Sequence, residues 1–363
     1  MWGFERLMGA GAARAKAWAA MVRARKAGGK AWAAMVRVRK AGGKAWAAMA
    51  AAIAVAALPL ALIGCAGGGD RVTLVLDWTP NTNHTGFYVA LELGFYEDEG
   101  MEVTVMQPPE DGAVALVAAG RAEFGISFQE EVLIAANAGE PLPIVAVASI
   151  VDRNAGGVMS LAEAGITRFR DLEGKRFGSW QVDVYDEIVR ECVRLDGGDP
   201  AKVEFVPNLA MDSLTGLRRD YDAVWVYEGW DVVIAGLSGV AVSFVPFRDM
   251  GPAFDYYSPV LIMNAEKVGG DLAERFLRAS GKGFAYAKEN PAAAAVILHK
   301  YAPEVSLDII LASQEVLSAS YYEDEWGLID RDRWLLFYDW MKGRGLLPAD
   351  AGAEALADGA WGR

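Results

Sequence analysis

Histidine and cysteine are nearly missing. His84, His299, Cys65 and Cys192 are all that 363 residues offer of the side chains that most often hold metals or act as nucleophiles. No His, Cys and carboxylate cluster has metal-ligand spacing, and neither G-x-S-x-G nor a Walker A pattern occurs, so no metal is expected. No lysine lies between Lys44 and Lys175, which leaves this long stretch without an amine for a Schiff base, and no cofactor is expected. Two distant cysteines do not make a disulfide framework. Cys192, inside the helical-looking run DEIVRECVRL, reads as a small buried apolar residue. Basic residues are also scarce beyond residue 64, where 24 Lys or Arg face 47 Asp or Glu. Phosphate binding needs clustered cations that release counterions, so a body of charge −23 with no basic stripe excludes nucleic acid as a partner.

The positive charge sits at the other end, where residues 1–64 hold 11 Lys or Arg against one acid, Glu5. From Lys16 the sequence repeats itself: KAWAAMVRARKAGG, then KAWAAMVRVRKAGG, then KAWAAM. Units so short and polar cannot stack into a core. They read either as a basic stretch that rests on anionic lipid or as an upstream duplication with no role of its own. Ala45 to Ile63 carries no charge and follows this basic flank, the arrangement of a signal sequence. It ends in Leu62-Ile63-Gly64-Cys65 and runs into Ala66-Gly67-Gly68-Gly69-Asp70, an order that resembles the bacterial lipobox. Cys65 is therefore expected to be lipidated and to tether the body to the extracytoplasmic face of the cell membrane. An uncleaved membrane helix is the alternative, which Pro59 and the small residues up to Gly64 disfavour.

The rest predicts an α/β protein with mainly parallel strands in two lobes, as its length also suggests. VTLVLDW, MEVTVMQ, EFGIS and PLPIVAVASIV read as strands separated by helices with glycine stops, among them Gly94, Gly120 and Gly139. After DRNAGG the rhythm restarts with KRFGSW, KVEFVP, DAVWVY and VAVSFVPF. YYSPVLIMN then leads back to a helical end. The boundaries expected are a leader at 1–64, a lipidated cysteine and tether at 65–70, the first part of lobe one at 71–155, and lobe two at 156–257. A return to lobe one with terminal helices occupies 258–347, and a flexible tail 348–363. A chain that leaves one lobe near Asp152 and returns near Pro259 makes two crossings, a hinge.

Several stretches together resemble a known family: LDWTPNTNHTGFYVA, QPPEDG, AEFGISFQEE, DLEGKRFGSW, GGDPAKVEFV and DYYSPVLIMN. They are similar to the thiamine-pyrimidine-precursor-binding branch of the solute-binding proteins, from about Arg71 to Leu347. That branch is related to sulfonate- and riboflavin-binding proteins and to a eukaryotic thiamine pyrimidine synthase. The resemblance implies a type II periplasmic-binding-protein fold, a small heterocyclic ligand between the lobes, and delivery to an ABC permease driven by a cytoplasmic ATPase. A single copy, a monomer, is expected. The synthase uses its own histidine, pyridoxal phosphate, iron and a cysteine-rich loop. Here FDYYSPVLIMN takes the place of that loop without a cysteine, so no enzymatic activity is expected. An extracellular sensor domain of the same fold is a further reading, disfavoured because no output module follows GLLPAD.

Strand-to-helix junctions are where crevices form in α/β lobes, and this places the candidate ligand contacts. They are Trp78, read as ending the first strand, with Asn81 and His84 in the polar loop behind it; Phe128, Gln129 and Glu130; Trp180 and Asp183; Tyr227 and Glu228; and Tyr256 and Tyr257 at the returning crossing. Aromatic faces from both lobes would sandwich a flat ring while Asn, Gln and Glu meet its nitrogens and amino group. Glu130 and Glu228 also fit as acids favoured by a helix dipole, and His84 as a cap. The expected ligand is a thiamine-related aminopyrimidine such as formylaminopyrimidine or hydroxymethylpyrimidine, with a flavin or a sulfonate as alternatives.

Overall fold

The computed structural model describes residues 69–109, 112–209, 212–352 and 355–356; the leader with Cys65, and most of the proposed tail, lie outside the described residues. Strand β1 (Asp70–Val75) is followed by helices α1 (Thr85–Glu92) and α2 (Phe95–Asp98), β2 (Met101–Met106), α3 (Gly112–Ala118), β3 (Phe124–Ser127), α4 (Gln129–Ala136) and β4 (Ile144–Ser149). The chain then builds β5 (Gly156–Leu161), β6 (Arg176–Ser179), α5 (Asp183–Leu195), β7 (Glu204–Pro207), α6 (Ser213–Arg219), β8 (Ala223–Tyr227), α7 (Val233–Leu237) and β9 (Val242–Pro246). It returns through β10 (Val260–Asn264) to α8 (Asp271–Glu289), α9 (Pro291–Tyr301), α10 (Leu307–Ser320) and α11 (Arg331–Gly343).

The strands form two five-stranded sheets, ordered β2-β1-β3-β10-β4 and β7-β6-β8-β5-β9. Fully buried strands such as FGIS in β3 need apolar or small side chains on both faces, because helices cover both sides. The expectation of mainly parallel strands is corrected. Four ladders are parallel and four antiparallel, and every antiparallel ladder involves β5 or β10. These two strands follow the crossings, so each enters its sheet from the opposite direction and takes the fourth place. The two sheets thus repeat one topology, and two α/β lobes are joined by two crossings.

In lobe two, Val184, Ile188, Val189, Cys192 and Val193 form one buried stripe of α5, at the spacing a helix needs. The Cys192 thiol lies in that stripe and burial pushes its pKa up, so it is packing material and not a nucleophile. In lobe one, α8 and α1 meet backbone to backbone: a Cβ on Gly283 would stand 2.0 Å from the Gly86 carbonyl oxygen. Gly94, in the left-handed region at φ 76°, separates α1 from α2.

Asn154 and Arg333 stitch the crossings together. The Asn154 backbone amide donates to Asp255 Oδ1 at 2.9 Å, and its Nδ2 donates to the Phe254 carbonyl at 2.9 Å. Arg333, on α11, reaches Asp255 Oδ1 at 3.2 Å and Asp152 Oδ1 at 3.7 Å, and its guanidinium lies 4.2 Å over the Tyr257 ring. Asp152 belongs to the first crossing and Asp255 to the second, so one terminal helix holds both.

Candidate functional site

Helix α4 starts directly after β3, and this places Gln129, Glu130 and Glu131 at the sheet's carboxyl end, facing lobe two. Gln129 is buried and fully used: its Oε1 accepts from the Tyr257 amide at 2.9 Å and its Nε2 donates to the Trp334 carbonyl at 2.9 Å. Glu130 is different. It is 1% exposed, and its Oε2 has no hydrogen-bond partner. An unpaired buried polar atom costs about 1–3 kcal/mol, so its persistence asks for an explanation, of which a partner that arrives later is one. Glu131, one residue on, is satisfied by the Ser127 hydroxyl at 2.8 Å.

Three tyrosines surround the Glu130 carboxyl. Tyr185 comes from the first turn of α5, Tyr227 from the end of β8, and Tyr256 from the second crossing, and each interacts electrostatically with Glu130. The Tyr256 hydroxyl is buried and also lacks a hydrogen-bond partner. Burial pushes the Glu130 carboxyl up to about 8; its own backbone amide opposes the rise, Glu131 adds to it, and Tyr185 opposes it. Burial likewise raises the hydroxyl pKa of Tyr185 and of Tyr227, and the negative charge of Glu130 raises both further. The result is a small interior of hydroxyls and carboxyls drawn from both lobes. Such a lining suits a ligand that brings hydrogen-bond donors.

Glu130, Tyr227 and Tyr256 are the sequence-derived candidates brought together. Others lie elsewhere. β1 stops at Val75, so Trp78 does not end the strand but stands on the following turn, 66% exposed. Trp180 follows β6 and is 53% exposed, and Asp183 is exposed at the start of α5. Phe128 is half-buried ahead of α4. Tyr257 is committed to the crossing, its hydroxyl accepting from the Asp330 amide at 2.9 Å.

Asn81 and His84 serve the chain itself. The Asn81 side chain accepts from the Asn83 amide at 2.9 Å, and His84 Nδ1 accepts from the Asn81 amide at 3.2 Å, closing a capping box on the short turn Thr82–His84. His84 Nε2 meets Asp77 Oδ1 at 2.7 Å. Both ring nitrogens of this buried histidine are engaged within the chain.

Glu228 also has a partner within the protein. Arg248 Nη2 reaches its Oε2 at 2.9 Å, the Tyr321 hydroxyl donates to the same oxygen, and Arg248 Nη1 donates to the Tyr321 hydroxyl at 3.1 Å and to the Asn154 carbonyl at 3.0 Å. Glu228 and Arg248 belong to lobe two and Tyr321 follows α10 in lobe one, so the trio ties the lobes together. These residues line a cavity of about 200 Å³ with Arg153, Val316 and Ser320. A larger cavity of about 450 Å³ lies beside β4 and contains none of the candidates. On another side Arg344, after α11, pairs with Glu187 and Glu191 of α5.

Sequence reading missed Tyr185 and Asn154. Tyr185 lies two residues beyond Asp183, and only the first turn of α5 rotates it toward the cleft. A rule scoring every aromatic in the first turn after a strand would have found it. Among the described residues no group of three or more His, Cys, Asp or Glu side chains is placed to hold a metal ion.

The profile of the family described as NMT1/THI5 like matches residues 81–294. A formylaminopyrimidine-binding protein of Halalkalibacterium halodurans is 31% identical over 68% of this chain and 75% of its own length. A 4-amino-5-hydroxymethyl-2-methylpyrimidine phosphate synthase of Legionella pneumophila is 26% identical over 65% of this chain and 75% of its own. Among solved structures, the alkanesulfonate-binding protein SsuA from Xanthomonas axonopodis pv. citri, bound to MOPS, superposes with a TM-score of 0.61 over 82% of this chain and all of its own. At 12% identity that likeness concerns the fold alone.

Proposed function

The chain belongs to the NMT1/THI5-like family and has the periplasmic-binding-protein fold, and we propose that it is the solute-capturing subunit of an ABC importer. Its ligand on this reading is a small aminopyrimidine related to thiamine, held where the lobes meet. The observation that carries the reading is the buried Glu130 carboxyl with an unpaired oxygen, ringed by Tyr185, Tyr227 and Tyr256. An exocyclic amine supplies the donor that this oxygen lacks, and tyrosine rings can pack on a flat heterocycle at about 0.5–1.5 kcal/mol per contact. An anionic sulfonate would meet carboxyls there, which is why sulfonate ranks behind.

In this proposal Cys65 carries the lipid, the body lies on the extracytoplasmic face of the cell membrane as a monomer, and a permease with a cytoplasmic ATPase receives the ligand. The Legionella relative's name makes a synthase the rival reading. That reading, taken with the resemblance drawn from sequence, asks for a spare histidine and an amine for pyridoxal phosphate. His84 is locked by Asp77 and Asn81, and the described part of lobe one up to β4 contains no lysine. The test is calorimetry with aminomethylpyrimidine and its formylated derivative, thiamine, riboflavin and taurine. A pyrimidine should bind near about 1 μM, roughly 8 kcal/mol. Binding of riboflavin or taurine alone overturns the assignment, and release of a pyrimidine from protein given pyridoxal phosphate and iron restores the synthase.

A further inference from the structure

Glu130 differs from most acids of this chain in what surrounds it. Its carboxyl is 1% exposed with an unpartnered Oε2, and the titratable groups that act on it are acids or hydroxyls: Glu131 on its own helix, Tyr185 on α5, Tyr227 at the end of β8, and Tyr256 on the second crossing. Asp77 acts on Tyr227 and Glu131 from the loop after β1, and is itself paired with His84. Among the described residues no cation is among the groups that act on Glu130, whereas Glu228 has Arg248 and Glu99 has Arg278. A carboxylate charge at this place is met only by its own backbone amide and the Tyr185 hydroxyl, which do not offset its burial.

Resting on the aminopyrimidine reading above, we propose that Glu130 meets its ligand as a neutral carboxylic acid, and that the bound complex holds one proton between this carboxyl and a ring nitrogen. An aminopyrimidine presents an acceptor nitrogen beside an exocyclic amine. A neutral carboxylic acid matches that edge at two points, its O–H donating to the ring nitrogen and its carbonyl oxygen accepting from the amine. A bare carboxylate has no donor for the ring nitrogen and would leave it facing a negative charge. Should the proton cross, it leaves the Glu130 oxygen and bonds the ring nitrogen, giving an ion pair with the same number of protons. No proton is gained or lost between these forms.

The proton count has a consequence for affinity. Burial holds the free carboxyl protonated up to about pH 8, so capture of a neutral pyrimidine needs no proton from water below that pH. Above it the free protein has lost the proton that the complex keeps. Binding then takes up one proton, and Kd rises about tenfold for each further pH unit. Below the pyrimidine's own pKa the ligand arrives protonated, one proton must be released, and affinity falls again.

The experiment is titration calorimetry of the full chain with aminomethylpyrimidine's formylated derivative from pH 6 to 10, at pH 9 in two buffers of different ionisation heat. The expected result is a weakening of about tenfold between pH 8.5 and 9.5, with uptake close to one proton at pH 9. Glu130→Gln offers the same donor and acceptor as a neutral acid, so it should bind within about tenfold of wild type at pH 7 and show no loss above pH 8. Binding that strengthens above pH 8, or a glutamine variant weakened by about a hundredfold while still folded by circular dichroism, would overturn the proton claim and leave the ligand assignment standing. The wild-type profile decides the matter even if the variant does not fold. Absence of pyrimidine binding at every pH overturns both.

Discussion

The buried carboxyl also sets how stability depends on pH, and this can be read without any ligand. Glu130 has an ordinary value of 4.5 and in the folded protein about 8, raised mainly by burial. A raised acid binds more protons folded than unfolded throughout this interval, so its contribution falls as pH climbs from 4.5 to about 8 and is constant outside it. The slope is at most one proton, about 1.4 kcal/mol per pH unit, and the ceiling over the interval is about 5 kcal/mol. At 1% exposure the side chain receives little screening from solvent. Glu130→Gln should therefore match wild type near pH 5, where glutamine imitates the protonated acid, and become the more stable protein by a few kcal/mol at pH 9. Other acids titrate too, Asp231 raised by burial and Asp196 lowered by Arg168, but they are common to both proteins and cancel in the difference. Urea unfolding at pH 5, 6, 7, 8 and 9 supplies the two curves. A constant difference, or a variant that loses ground with rising pH, refutes the burial argument.

Tyr321→Phe removes the hydroxyl that donates to Glu228 and accepts from Arg248 across the lobes. Hydrogen bonds to charged groups contribute about 1.5–3 kcal/mol, so the ligand-free variant should show a larger radius of gyration by small-angle scattering and about tenfold or weaker binding; no change in either would remove the trio as a tie between lobes. Cys65→Ala should abolish incorporation of labelled fatty acid, and equal labelling of wild type and variant would rule out Cys65 as the anchor.

The fold was legible because its signals are local. β1 and β2 are each a short β-branched or apolar run followed by helical structure with a glycine stop, and Gly94 and Gly120 do adopt left-handed backbone. What escaped was strand direction. The sequences of β5 and β10 are as apolar as those of their parallel neighbours, and a buried central strand has the same composition in either sense. Direction is decided by where the chain comes from, and here it comes from the other lobe. The same limit explains Trp78, whose strand ends three residues earlier than the apolar run suggests.

Side-chain partners were harder to read than strands. Glu130 and Glu228 occupy equivalent places, each following a strand at the start of a helical turn, and they read alike as ligand contacts or as acids favoured by a helix dipole. Their partners separate them. Arg248 lies 20 residues beyond Glu228 and Tyr321 lies 93 beyond, so the tie that occupies Glu228 exists only after β9 and α10 are in place. Glu130 gains three tyrosines from equally remote positions and no cation. One carboxyl is thereby neutralised by the protein and committed to holding the lobes, while the other is left protonated with an oxygen to spare. A binding protein must hold its lobes at a small free-energy difference and still offer an unmet hydrogen bond to the solute. On the proposed function, dividing these two demands between Glu228 and Glu130 lets the closing contact be weakened or strengthened without changing the group proposed to meet the ligand.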